Sequence, residues 1–163
     1  MSYDPYATSN NEELLGGLLV VGIILLLIVA LISYVIGALI YFKTAKTNGY
    51  EDIAFLAWIP LVNFYLLFLF AATGSTEEEK RASAKKNIII YIALFVVSFI
   101  PLIGLLFSLG MMVISVYMMY RLLYRWSGDK TRGILFTVCT IVTSGIFFLI
   151  YGLMRMNRPF RAE

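Results

Sequence analysis

The chain contains no histidine and only one cysteine, Cys139. Histidine is the commonest general base in enzymes, and most zinc and haem sites need histidine or several cysteines. A single thiol cannot form an intramolecular disulfide. We therefore expect no cofactor, no metal site and no catalytic residues, and we predict that the protein is not an enzyme.

Charged residues are also scarce. They make up 14% of the 163 residues, whereas hydrophobic residues make up 61% and the mean hydropathy is +0.87. These values are typical of integral membrane proteins and exclude a soluble domain, so the lipid bilayer is the first expected partner. The 13 basic residues are scattered through short polar segments, which argues against nucleic-acid binding.

Four apolar blocks organise the sequence. They cover residues 14–42, 53–72, 88–124 and 133–154. We predict an all-α fold, a polytopic integral membrane helical bundle with proline-broken helices. Its single transmembrane domain spans residues 14–157, between an extracytoplasmic tail at 1–13 and a C-terminal tail at 158–163. The first block is too long for the apolar core of a signal peptide and predicts an uncleaved anchor helix.

The stretch from Ile88 to Tyr120 contains 33 residues without a charged side chain. As one helix it would reach roughly 50 Å, well beyond a hydrocarbon core of about 30 Å. We expect the helix to break at Pro101 and Gly104, because proline cannot donate to the preceding turn and glycine tolerates unusual backbone angles.

The phrase Ile-Pro-Leu occurs in the second block as well, where Pro60 predicts either a kinked span or a re-entrant loop. Asn63 follows it and either caps the next half-helix, bonds another helix or faces a ligand. Paired broken helices are typical of the inverted repeats of transporters. The alternative is two independent proline kinks.

Small residues spaced four apart predict close helix packing. Ser33 with Gly37, and Gly104 with Ser108, have this spacing. Such faces let helix backbones approach, either within the chain or between two copies.

A polar stripe is predicted in the fourth block, where Thr137, Thr140 and Ser144 follow the i, i+3, i+7 pattern of one helical face. Hydroxyls in such a stripe usually bond the preceding turn or another helix. Occasionally they line a water path.

The polar segment after the second block predicts a helix that begins near Ser75. Thr76 with Glu79 fits a capping box, and Glu77 stands four residues before Arg81. At the end of the third block, tyrosines and Trp126 beside basic residues predict an interfacial aromatic belt.

Orientation follows from charge. Acidic residues precede the first block and Lys43 and Lys46 follow it, so we expect the N-terminus outside the cell. Four alternating spans would leave seven basic residues outside and six inside. If the second block turns back and the third forms a hairpin at Pro101, ten lie inside and three outside. We favour this folded-back arrangement over a kinked helix lying along the interface.

A family resemblance is carried by the turn Lys46–Tyr50 and, nine residues on, the stretch Ile59–Asn63. The chain resembles a functionally uncharacterised family of small prokaryotic multi-pass membrane proteins with a Gly-aromatic turn followed by an Ile-Pro-x-x-Asn stretch. The resemblance covers roughly residues 43–152, although the second Ile-Pro phrase here ends in Gly104 instead of Asn. It implies the plasma membrane of a bacterium or archaeon and implies no activity.

Two functions fit this pattern. The first is a non-catalytic accessory, assembly or scaffold subunit, whose partners are other membrane-protein subunits or copies of itself. The second is a small transporter, channel or lipid-handling protein that uses the broken helices, with Asn63 and the polar stripe as its candidate path. The apolar interiors of the blocks lack the charged side chains of ion-coupled carriers and of intramembrane enzymes, which favours the first.

Overall fold

The computed structural model describes residues 5–100 and 104–162 and is entirely helical over that range. The helices are α1 (Pro5–Thr47), the 3-10 helix η1 (Glu51–Trp58), α2 (Asn63–Ala71), α3 (Glu77–Val97), α4 (Gly104–Ser127), α5 (Lys130–Val142) and α6 (Ile146–Arg155). The all-α prediction is thus confirmed for these residues. Two segments, Leu14–Thr47 and Gly104–Ser127, are long and apolar enough to cross a membrane by length and composition.

The chain divides into two compact units, residues 1–36 and residues 37–163. In the first unit α1 exposes its large apolar side chains on all sides; Leu19, Leu26 and Leu31 are each more than 60% exposed. A helix that is apolar all round is stable only in lipid or against other apolar helices.

The second unit has its core around α2 and the last turns of α4. Leu66, Phe68, Leu122 and Trp126 are almost completely buried there. α2 contacts both α3 and α4, and α4 packs along α5. The half-helix α2 is therefore the central element of this unit.

The second apolar block turns back at its proline. η1 ends at Trp58, and the reversal follows through Leu61, whose φ of +67° is rare for a branched side chain. The rings of Tyr50 and Phe70 lie 6.4 Å apart, whereas 20 residues of straight helix would separate them by about 30 Å. The predicted break at Pro60 is confirmed, and it is a reversal and not a kink.

The third block also forms a hairpin. α3 ends at Val97 and α4 begins at Gly104; Pro101 lies outside the described residues. The Tyr91 hydroxyl is 3.3 Å from the Ser115 hydroxyl, whereas a straight helix would place these residues about 36 Å apart. A side chain at Gly104 would collide with the carbonyl oxygen of Ser98, so glycine is required where α4 starts.

The predicted polar stripe assumed that the fourth block is one helix, but the block forms two helices. α5 ends at Val142 in a Schellman motif: Gly145 N donates to Thr140 O (2.7 Å) and Ser144 N donates to Ile141 O (3.0 Å). Ser144 occupies the left-handed position with φ +49°. α6 then returns along α5, and the rings of Phe136 and Tyr151 lie 4.7 Å apart.

Candidate functional site

The connecting segments of the second unit meet at one end. Phe160 N donates to Asn48 Oδ1 (2.9 Å), and Arg121 Nε donates to Ala71 O (3.3 Å). We define the loop end as residues 48–52, 72–76, 127–129 and 156–162. The loop end forms because the second, third and fourth apolar blocks each fold back. Both ends of each block therefore lie at the same end of the unit.

The loop end concentrates the charge of the chain. All 13 Lys and Arg residues lie in it or within three helix turns of it, and seven acidic residues lie between positions 37 and 163, which gives a net charge of +6. The folded-back arrangement placed Arg155, Arg158 and Arg161 at the opposite end of the hairpins, but they lie at the loop end. α6 is the reason, because its return brings Arg155 Nη2 to Trp126 O at 2.6 Å.

Arg81 ties η1 to α3. Its guanidinium makes a bidentate contact with Asp52 (2.8 and 2.9 Å) and also bonds Glu77 (2.7 Å). The Glu77–Arg81 pair and the Thr76–Glu79 capping box were both predicted and are confirmed. The hydrogen bonds from Arg81 hold the pKa of Asp52 below its usual range, and the two carboxylates raise the pKa of Arg81.

Two further arginines are buried instead of anchoring an interface. Arg125 is 4% exposed; its Nη1 donates to Phe70 O (2.7 Å) and its Cζ lies 4.2 Å from the centre of the Phe160 ring. The acceptor is a carbonyl in the last turn of α2, which has no partner within its own helix. Arg125 and Arg121 thus satisfy the end of the half-helix. Trp126 is also buried, so the predicted aromatic belt does not include it.

Arg155 is the second buried arginine, at 6% exposure. Its Nε has no hydrogen-bond partner among the described residues. Burial lowers the pKa of its guanidinium, and the neighbouring charges of Arg161 and Arg158 lower it further. The loop end therefore holds more positive charge than its own carboxylates neutralise.

A cavity of about 260 Å³ opens among these cations. We name it the basic pocket; it is lined by residues that include Asn48, Tyr50, Lys80, Arg125, Phe160 and Arg161. Three of them are cations, and none of the described residues that line it is acidic. This is the chemistry of an anion site.

A second cavity of about 700 Å³ lies at the other end of the hairpins. We name it the apolar groove; its lining includes Leu61, Val62, Phe64, Tyr91, Phe95 and Met111. Its walls come from the turn after Pro60 and from the α3–α4 hairpin. Apolar walls of this kind accept a hydrocarbon chain and offer little to a polar solute.

Asn63 is the first residue of α2 and does not cap it. The N-cap position is taken by Val62, with no capping side-chain bond. The alternative in which Asn63 caps α2 is therefore wrong. An N-cap residue precedes the first helical residue, but Asn63 is itself the first residue of α2.

The polar stripe is only partly formed. Thr137 Oγ1 donates to Gly133 O (2.7 Å) and Thr140 Oγ1 donates to Phe136 O (2.8 Å), so both hydroxyls bond the preceding turn of their own helix. Ser144 lies in the reversal after α5 and shares no helical face with them. Among the described residues no group of three or more His, Cys, Asp or Glu is placed to hold a metal ion.

The predicted small-residue faces differ in use. Ser33 is half-buried, no described atom lies within 4 Å of a side chain built at Gly37, and Ser108 Oγ bonds Gly104 O (2.9 Å). Close approach occurs instead at Gly152, where a Cβ would lie 2.8 Å from Ile40 Cδ1, and at Gly133, where it would lie 3.1 Å from the Tyr124 backbone. Gly152 has no small residue four positions away, whereas Gly133 has Thr137 at that spacing.

No protein-family model, curated protein or solved structure matches the chain. The geometry of the loop end, the basic pocket and the apolar groove is therefore the basis for proposing a function.

Proposed function

We propose that the protein is a non-catalytic accessory, assembly or scaffold subunit in the plasma membrane of a prokaryote. α1 crosses the bilayer, the loop end faces the cytoplasm and the N-terminus lies outside. The gathering of all 13 basic residues around the loop end carries this orientation, because cytoplasmic segments are enriched in Lys and Arg. The resemblance at Lys46–Tyr50 and Ile59–Asn63 supports the prokaryotic assignment.

The chain is multi-pass in an unusual way. α2 and α5, with 9 and 13 residues, reach about 14 and 20 Å, less than a bilayer core of about 30 Å. Hairpins of this length enter and leave at the loop end.

Two observations favour a subunit over a solute path. Thr137 and Thr140, the buried hydroxyls of the predicted path, already bond their own helix. The exposed apolar surface of α1 between Leu14 and Leu31 offers a binding surface to partner helices or a second copy.

Gentle detergent extraction followed by mass spectrometry tests the subunit role. We expect a stoichiometric partner or a defined homo-oligomer. A monodisperse monomer that moves a solute across liposomes would overturn the proposal.

Thiol accessibility tests the orientation. In a Cys139→Ala background, Ser75→Cys, Lys130→Cys and Arg158→Cys should react with an impermeant reagent only after the cells are opened. Ser9→Cys, in the N-terminal segment, is the matched control and should react in intact cells. Labelling of Arg158→Cys from outside would show that the fourth block crosses the membrane instead of returning to the loop end.

A second candidate function, handling of lipid within the small-transporter class, is favoured by the apolar groove. Its volume of about 700 Å³ lies in the range of sites for small molecules. If lipid is its substrate, Ile92→Trp should reduce the lipid retained after extraction, as measured by native mass spectrometry. Ile89→Trp, at an exposed position of α3 that does not line the groove, is the control.

A further inference from the structure

The basic pocket joins three parts of the loop end that are distant in sequence. Asn48 and Tyr50 come from the turn after α1, Lys80 from the first turn of α3, and Arg161 from the C-terminal tail. Its volume of about 260 Å³ is close to the lower limit for small-ligand sites, about 300 Å³. A phosphate group with part of its ester fits this space, whereas a large ligand does not.

The acids at the start of α3 do not pair with the described cations of the pocket other than Arg125. Arg81 holds both Asp52 and Glu77, and Glu79 accepts a hydrogen bond from Ser75 N at 2.7 Å as part of the α3 cap. These acids are therefore committed to the start of α3. Among the described residues neither Lys80 nor Arg161 forms an ion pair.

The cations of the pocket differ in freedom. Arg125 is held against Phe70 O and the Phe160 ring, so it forms part of the pocket wall and is not a moving contact. Lys80 is half-buried and Arg161 is exposed, and the backbone N of Arg161 is fixed by Arg125 O at 2.7 Å. The backbone of Lys80 and Arg161 is held by hydrogen bonds, whereas their long side chains can contact a ligand from two sides.

Tyr50 adds a neutral donor. It is 5% exposed and lines the pocket beside these cations. Burial raises the pKa of its phenol, with Arg125 opposing the shift, so the hydroxyl keeps its proton at neutral pH. A phosphate oxygen accepts from such a hydroxyl as readily as from a cation.

We propose that the basic pocket binds a phosphate group, with Lys80 and Arg161 as its direct contacts and Tyr50 as a neutral donor. Two sources share this chemistry: the headgroup of an anionic phospholipid and a soluble phosphate compound. The site is independent of the accessory role, because it lies within one unit of the chain. Only the lipid source also requires the loop end to face the membrane surface.

Binding is measured on the full chain in dodecyl maltoside micelles. Inorganic phosphate is titrated calorimetrically, and phosphatidylglycerol is compared with phosphatidylcholine in mixed micelles by native mass spectrometry. We expect saturable binding of phosphate, of phosphatidylglycerol in preference to phosphatidylcholine, or of both. Phosphate alone identifies a soluble source and phosphatidylglycerol alone a lipid source. Failure of both probes to bind overturns the proposal.

Variants locate the site. Lys80→Gln with Arg161→Gln should weaken binding at least tenfold, because each removes a charge-assisted hydrogen bond. Lys85→Gln with Lys130→Gln removes the same charge from exposed positions outside the pocket and should change binding less than threefold. Equal losses in the two double variants would indicate attraction to the whole loop end and overturn the pocket assignment. An unchanged unfolding temperature checks that both variants fold.

Discussion

Replacing Ser144 by glycine tests the reversal in the fourth block, because the sign of its effect depends on whether that block is one helix or two. Ser144 is exposed and has φ +49°, a conformation that costs an L-residue roughly 1–2 kcal/mol. Glycine removes this cost. It also makes the unfolded chain more flexible, which lowers the free energy of unfolding by roughly 0.4–1 kcal/mol. Ser144→Gly should therefore stabilise the protein by about 0.5–1 kcal/mol.

In an unbroken helix the same substitution would have the opposite effect. Glycine is less favourable than serine in a helix interior by about 0.5 kcal/mol, so Ser144→Gly would destabilise. Ser144→Ala should leave the stability of the reversal nearly unchanged, because alanine shares the cost of the left-handed conformation, whereas it should stabilise a helix interior. Ser144→Gly therefore has opposite signs in the two structures, and Ser144→Ala stabilises only the unbroken helix.

The assay is thermal unfolding of the purified protein in mild detergent, followed by circular dichroism. A change of 1 kcal/mol corresponds to a shift of about 2–4 °C for a chain of this size. Val138→Gly, at an exposed position within α5, is the control and should lower the unfolding temperature. A lower unfolding temperature for Ser144→Gly together with a higher one for Ser144→Ala would refute the Schellman reversal.

Three further predictions concern packing and charge. Gly152→Val should destabilise by about 1–3 kcal/mol in a chemical unfolding titration, because its Cβ would press on Ile40; Gly37→Ala, with open space around it, should not destabilise. Arg125→Met should destabilise by about 1–3 kcal/mol, since Phe70 O loses a buried donor, and an unchanged midpoint would contradict this capping role. The lowered pKa of Asp52 means that its pairing with Arg81 stabilises the protein above the usual aspartate pKa of about 3.9 and is lost as the pH falls through the lowered value. Asp52→Asn should therefore reduce the drop in unfolding temperature between pH 5 and 3, and parallel pH profiles would contradict it.

The breaks that the sequence predicts are those with a local chemical cause. Pro60 removes a donor and Gly104 permits a close approach, and both properties belong to the residue itself. The capping box at Thr76 is local in the same sense. Such features can be predicted from the sequence because no distant residue is needed to form them.

The reversal at Ser144 was missed because a helical spacing of hydroxyls was given more weight than a turn signal. Ser-Gly dipeptides favour turns, and Ser144–Gly145 is one, but the polar stripe ran through it. The stripe and the turn make opposite predictions for the same residues. The Schellman hydrogen bonds decide between them, and they depend on the return of α6 against α5.

Burial of Arg125 and Trp126 follows from contacts that are distant in sequence. Arg125 bonds a carbonyl 55 residues away, and the side chain of Arg155 reaches the Trp126 carbonyl from 29 residues away. An aromatic and basic cluster at the end of a long apolar helix normally indicates an interface with water. Here the returning hairpins cover that end, so the same residues become part of the core.

The arginines at the loop end therefore have two roles that reinforce each other. A hairpin that ends inside the unit leaves the last carbonyls of its half-helix without partners, and long cationic side chains satisfy them from neighbouring helices. Arg125 and Arg121 do this for α2, and Arg155 does it for α4. Since the same charges favour the cytoplasmic side of a membrane, orientation and the folding of short hairpins depend on one set of residues. Removing a capping arginine should then disturb the hairpin that it caps before it changes the orientation of the chain, because twelve other basic residues remain.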